Sequence, residues 1–467
     1  MRKGRTVSSS RNLWRTPCAY PGRDRGREVM GILEKAAAKA KEAELYEEYR
    51  EGITVSFKGG ELEKVKSEAV LGRALRVIVD GKLGFASTAG EEEDPLVEAA
   101  VASARHGDPA PFSFPELKGE GEVKVLDPEV QELSPDDLLA WGEEAAKAIT
   151  EEFPGIIVDV FLSRGESCVR VANTTGGVRE ERRSYFGMYV EAQHVKEGDI
   201  WLLWVGKTVR RREDLSPEML VSQVIRYLRW GERVVPSPAG RPPVLFTPRG
   251  AVVLYLPLLV GFSGLSVYMG TSPLKGRLGE EAFDRRLTIV DDGTLPFGPR
   301  SGSFDDEGVP TGRLPLVEGG VIQHFYYDLR SAALAGAEPT GNGMKGGFFG
   351  GGFRTPPSPG PRNILVSPGE GTLEELIAEM KEGIIVEGVL GLGQGNIQSG
   401  AFSNNVGTGF VVKGGKVIGR LKNTMIAGNA YEVLKDHLVA IGAEAEWCHG
   451  IYRSPALLVE GVSVVSR

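Results

Sequence analysis

Apolar residues fall at helical spacing from Ile32 to Tyr49, with Leu33, Ala36, Ala37 and Ala40 separated by Lys and Glu, and this predicts an amphipathic helix. Short β-prone runs punctuated by glycine follow at Ile53–Phe57 and Leu71–Val79, then pass through an Asp80-Gly81 hairpin turn into Leu83–Ser87. A second helix is expected over Pro95–Arg105, and a linker rich in Pro, Gly and Glu spans Pro109–Pro128. The order then recurs: a helix at Pro135–Glu152, strands near Ile156–Leu162, Cys168–Asn173, Tyr185–Gln193 and Ile200–Val209, and a closing helix at Pro217–Trp230. The repetition of helix, meander and helix suggests an internal duplication.

The run Val235–Pro243 holds four prolines, which lack an amide donor and fix φ, so it is the best domain boundary. Beyond it come a short strand near Val244–Phe246, an apolar helix near Ala251–Phe262, and a strand-rich region with hairpin turns at Gly319-Gly320 and Gly414-Gly415. Helices are expected near Ser331, Leu373–Lys381 and Asn429–His437. The pattern predicts an α+β fold with an N-terminal domain over 30–235 and a strand-rich C-terminal domain over 244–467.

Charge sets one segment apart. Residues 1–29 carry eight Arg or Lys against two acids, whereas the remainder has 47 basic and 61 acidic residues, a net charge of −14. Such a body repels nucleic acid. The basic prefix lacks hydrophobic periodicity, and Met30 stands before the first helical pattern, so 1–29 reads as a disordered tail or a misassigned start. The chain has 63 glycines, which suit tight turns between short strands, and a mild thermophile-like excess of Arg and Glu. No membrane span or signal peptide is recognisable, and the three cysteines fit neither a zinc motif nor a disulfide framework. A cytoplasmic protein is expected.

An ordered series of motifs runs through the second half: Asp305-Asp306-Glu307-Gly308-Val309-Pro310-Thr311, Pro315-Leu316-Val317-Glu318-Gly319-Gly320, Thr340-Gly341-Asn342-Gly343, Asn363, the Gly371–Leu376 segment, Gly383 and Met425-Ile426-Ala427-Gly428-Asn429. Together with Gly72–Thr88 it resembles the TldD/PmbA family, known as modulators of DNA gyrase and as metal-dependent peptidases. In that family's catalytic branch, the resemblance implies a helix carrying HExxxH and a C-terminal cysteine as a further metal ligand. Such a set holds Zn²⁺ with one position open while the carboxylate moves a proton from bound water. Anchored on Gly270-Thr271-Ser272 and Gly276–Gly279, the matching segment here is Tyr255-Leu256-Pro257-Leu258-Leu259-Val260, with neither histidine nor acid. No histidine occurs between His194 and His324, so no shift of register restores the motif. This resembles the PmbA/TldE branch, whose members pair with a metal-bearing TldD-type subunit.

No catalytic residue is therefore assigned, and no metal is expected in this chain. Zn²⁺ belongs to the TldD-type partner. Cys448, near the position of the family's C-terminal cysteine, is the remaining metal-ligand candidate, although a lone cysteine is more often a small buried apolar residue. His449, if it continues the strand, points to the opposite face. In the glycine-rich run 346–353, Phe348, Phe349 and Phe353 are candidates for gripping an unfolded peptide. The acidic turn 305–307 is expected to be solvated or to accept backbone hydrogen bonds, and Arg210-Arg211-Arg212 to end a strand in solvent. The expected function is that of a non-catalytic subunit of a peptidase complex acting on unfolded peptides, paired with a TldD-type subunit or a second copy of itself. A metallopeptidase with a displaced site and a non-enzymatic peptide-binding scaffold linked to gyrase are the alternatives.

Overall fold

The computed structural model describes residues 25–90, 92–118, 121–196, 198–347, 350–393 and 395–466, with side chains from residue 29 onward. The chain opens with α1 (Arg25–Ala37), β1 (Glu42–Lys58), β2 (Glu61–Val79), β3 (Lys82–Thr88) and α2 (Glu93–Ala104). After α3 (Pro128–Glu132) the same order follows in α4 (Pro135–Glu152), β4 (Ile157–Asn173), β5 (Val178–Lys196), β6 (Asp199–Val209) and α5 (Pro217–Trp230). The two meanders join edge to edge through β1 and β4. The result is one antiparallel six-stranded sheet in the order β3-β2-β1-β4-β5-β6.

Helix starts follow local chemistry. Ser134 accepts from the amide of Asp137, the Asp137 carboxylate accepts from the amide of Ser134, and Pro135 opens α4 where its missing donor costs nothing. The first helix, however, ends at Ala37, and the residues expected to extend it to Tyr49 form β1. Glu44 and Glu47, which read as the polar face of a helix, are instead buried strand positions, paired with Arg76 and Arg73 on β2. At the other end the helix begins five residues before Met30, and Val29 is buried, so the ordered body reaches into the segment expected to be a tail. Residues 1–24 lie outside the described residues.

All four long helices pack on one face of the sheet. Val29, Ile32 and Leu33 of α1 meet Leu45, Leu75 and Val77, while Leu138 and Ile149 of α4 and Val224 of α5 meet Phe57, Val160 and Met188. Because side chains alternate along a strand, the even-numbered positions of β1, from Glu44 to Thr54, face the other way.

The second half begins with β7 (Val244–Phe246), α6 (Val252–Gly261) and α7 (Gly264–Met269). It continues through β8 (Ile289–Asp292), β9 (Arg313–Glu318), β10 (Val321–Ile322), α8 (Leu329–Ala335), β11 (Gly343–Met344), β12 (Ser358–Pro359), β13 (Ile364–Val366) and α9 (Leu373–Met380). It ends in β14 (Glu382–Leu390), β15 (Ala401–Lys413), β16 (Lys416–Arg420), β17 (Thr424–Asn429), α10 (Ala430–Asp436), β18 (Leu438–Cys448), β19 (Tyr452–Val459) and β20 (Ser463–Ser466). Twelve of these strands make a mixed sheet whose central path runs β13-β19-β7-β14-β15-β17, parallel at β13–β19 and β14–β7. The α+β architecture read from the sequence is the one observed. One apolar cluster joins both sheets, since Leu245, Ile385, Phe410 and Val412 pack in the same core as Phe57 and Val160.

Candidate functional site

Helix α6 occupies the place where the family's metal helix is expected. Its sequence, Val252-Val253-Leu254-Tyr255-Leu256-Pro257-Leu258-Leu259-Val260-Gly261, is apolar all round, and nine of its ten residues are buried. Pro257 sits inside it and removes one amide donor from the helix. The Tyr255 hydroxyl lies 2.7 Å from Ser454 Oγ, and its ring packs 5.0 Å from that of Tyr452. Tyr452 is the cross-strand partner of Cys448, so the fold does bring the C-terminal cysteine to the start of this helix. There it meets a phenol rather than an imidazole.

These residues do not fit a Zn²⁺ ion. Burial pushes the Cys448 thiol well above its usual range, with the nearby Glu446 and Glu387 carboxylates acting in the same direction, so the thiolate a metal needs is disfavoured. Cys448 is a free, buried thiol. His449 does not continue the strand: it lies in the turn after β18 with φ +53°, its ring 5.8 Å from Tyr452. Among the described residues no three His, Cys, Asp or Glu side chains converge on a common metal position.

The acidic turn 305–307 is buried and fully engaged. Asp305 accepts from the amides of Glu307, Val309 and Gly343, and Asp306 from that of Lys345. Glu307 accepts from Leu329 N and pairs with Arg76 Nη1 at 2.6 Å. Arg76 also holds Glu44, so this motif fastens the C-terminal half to the first sheet. Of the two readings offered for it, hydrogen bonding to backbone amides is the one observed and solvation is not.

On the face of the six-stranded sheet away from the helices lies a groove of about 690 Å³. Its floor includes Arg50, Gly52 and Thr54 of β1, Phe161 and Ser163 of β4, and Tyr185 and Tyr189 of β5; residues 351–354 form a wall. Phe353 belongs to that wall, only 7% exposed and packed with Tyr46, Ala74 and Phe304. Phe348 and Phe349 lie outside the described residues. Gly52 is required in the floor, because a Cβ there would stand 2.0 Å from the Tyr185 hydroxyl oxygen. A second cavity of about 300 Å³ shares Glu48, Arg50 and Tyr185 with the groove and reaches Arg210 and Arg300. Arg210 does not end a strand in solvent as expected. It is half-buried and donates to the carbonyls of Gly298 and Pro299. Nothing in its sequence context signalled this, since Pro299 is 89 residues away.

Both outer edges of this sheet carry side-chain hydrogen bonds. On β3, Ser103 Oγ accepts from Phe85 N and donates to Phe85 O, while on β6 Arg249 and Thr408 donate to the carbonyls of Trp204 and Leu202. Side chains thus engage part of the backbone that a further strand would use.

Comparison with known proteins places this geometry in a family. The PmbA/TldA metallopeptidase domain 1 profile matches residues 43–105, the central-domain profile 128–231 and the C-terminal-domain profile 239–466. An uncharacterized protein of Methanocaldococcus jannaschii is 26% identical over 420 residues, covering 88% of this chain and 93% of that one. The metalloprotease PmbA of Escherichia coli O157:H7 is 27% identical over 471 residues, covering 92% and 94%. The crystal structure of TldE from Thermococcus kodakarensis superposes with a TM-score of 0.82 at 25% identity, covering 94% of this chain and all of that one. The chain belongs to the PmbA/TldD family of metallopeptidase-like proteins, and within it lacks the metal-binding HExxxH.

Proposed function

We propose that this chain is a non-catalytic, PmbA/TldE-like subunit of a cytoplasmic peptidase complex, in which a TldD-type partner supplies Zn²⁺ and the hydrolytic chemistry. The observation that carries the reading is α6: the helix that would present two imidazoles and a carboxylate instead presents a hydrogen-bonded tyrosine, a proline and aliphatic side chains. Aliphatic groups cannot ligate Zn²⁺, and a buried phenol hydrogen-bonded to Ser454 does not replace an imidazole. The resemblance to TldE over nearly the whole chain supports the same assignment.

The role left to this chain is to hold substrate. The groove on the open sheet face combines aromatic and apolar surface, from Val70, Phe161, Tyr185 and Tyr189, with charged groups at Glu48 and Arg50. Such a surface accepts an extended, unfolded peptide by its side chains. Among the described residues no helix is long and apolar enough to cross a membrane.

The decisive experiment mixes the purified chain with a TldD-type metallopeptidase. Elemental analysis of the chain alone should find no stoichiometric Zn²⁺, and it should leave casein-derived peptides intact. Addition of the partner should yield a heteromeric mass in solution and faster cleavage than the partner achieves alone. Chelator-sensitive cleavage by the isolated chain would refute the assignment, and a homodimer whose mass and activity ignore the partner would show that it pairs only with itself.

A further inference from the structure

Arg210 and Arg300 line the cavity that continues the groove, and neither is paired with a carboxylate among the described residues. Arg210 uses Nε and Nη2 on the Gly298 and Pro299 carbonyls, and Arg300 uses Nη1 on the Pro361 carbonyl. This leaves Arg210 Nη1, Arg300 Nε and Arg300 Nη2 without a protein acceptor among the described residues. Arg50, stacked 4.2 Å above the Tyr185 ring, lines both the groove and this cavity. The one carboxylate lining the cavity is Glu48, so three guanidinium groups face a single acid.

Carbonyl oxygens fix the Arg210 and Arg300 guanidiniums in place without neutralising them. Arg210 shows the cost: burial and the neighbouring Arg183 lower its pKa to about 9, which an incoming anion would reverse. A planar carboxylate presents two oxygens to such donors and forms charge-assisted hydrogen bonds. The hydroxyls of Ser167 and Thr208 also line the cavity.

We infer that this cavity is a subsite for the C-terminal carboxylate of a peptide lying in the adjoining groove. The inference rests on the peptide-holding role proposed above and adds a polarity to it: the free end of the substrate enters between Arg210 and Arg300 while the preceding residues run over Arg50 and Tyr185 toward Phe161 and Val70. The favoured ligands are short peptides with apolar residues near a free C-terminus. Internal segments of a long loop lack the anion.

The test compares one fluorescent apolar hexapeptide in two forms, with a free C-terminal carboxylate and with a C-terminal amide, by anisotropy on the unmodified full-length chain. The acid should bind at least about tenfold more tightly than the amide, as expected for a charge-assisted contact. In Arg210→Gln and Arg300→Gln the two forms should approach equal affinity, mainly through weaker binding of the acid. Equal affinity of acid and amide for the unmodified chain would overturn the subsite while leaving peptide holding intact. Inorganic phosphate that erases the preference at millimolar concentration would reassign the cavity to free anions. Failure of either form to bind would defeat the peptide-holding reading itself, and the subsite with it.

Discussion

Arg76 is the residue on which the junction of the two halves turns. Its Nε and Nη2 donate to Glu44 Oε1 at 2.9 and 2.7 Å, its Nη1 to Glu307 Oε1, and all three residues are buried. Removing the cation leaves two carboxylates in a medium that solvates them poorly, so Arg76→Met should lower stability by about 3–5 kcal/mol in urea unfolding. Arg76→Lys keeps the charge but cannot form the same fork, and an intermediate loss is expected. Lys345 provides a pH signature. It is 7% exposed, packed against Tyr46 and Phe85, and burial lowers its pKa to about 8. A lysine depressed in the folded state contributes stability above its unfolded pKa and loses it as pH falls to the folded value. The unfolding midpoint should therefore drop between about pH 10 and pH 8 relative to that of Lys345→Met, by up to roughly 3 kcal/mol in free energy. Parallel pH profiles for the two proteins would show that Lys345 is not depressed.

At the scale of elements, the groove depends on how closely the 352–354 turn approaches β2. A Cβ at Gly72 would stand 2.1 Å from Phe353 Cδ1, so Gly72→Ala must push this wall outward. A stability loss of about 1–3 kcal/mol is expected. Peptide affinity should fall with it, which anisotropy titration would detect. The elements most legible in the sequence were those with strong local signals. Helices α4 and α5 begin at Pro135 and Pro217, one residue after a capping serine, and both match the expected bounds. The Asp80-Gly81 turn and the glycine pairs at 319–320 and 414–415 each connect antiparallel strands as expected. Strand β1 was misread because a buried glutamate and an exposed one look alike until the arginine beside it is known.

For the whole molecule, the shared core has a thermodynamic consequence. Residues of both sheets, including Phe57, Val160, Leu245 and Phe410, are fully buried in one cluster, and Arg76 bridges the same halves. Neither half can lose its packing without exposing apolar surface of the other. Calorimetry should therefore show a single cooperative transition, and two resolved transitions would mean that the halves melt independently. The groove and its arginine-lined extension also belong to this scale, since their residues come from β1, β2, β4, β5, the end of β6 and three loops of the second half.

The sequence by itself determined the α+β class, the order of most elements and the missing metal ligands, because helical and strand periodicity, turn glycines and the identity of potential ligands are all local properties. The tertiary structure alone decided that the acidic turn is a buried clasp, that Cys448 faces Tyr452 and Tyr255, and that Arg50, Arg210 and Arg300 line one cavity. Each of these depends on contacts between residues tens to hundreds of positions apart, and a charge's meaning changes with whether water, a carbonyl or an opposite charge surrounds it.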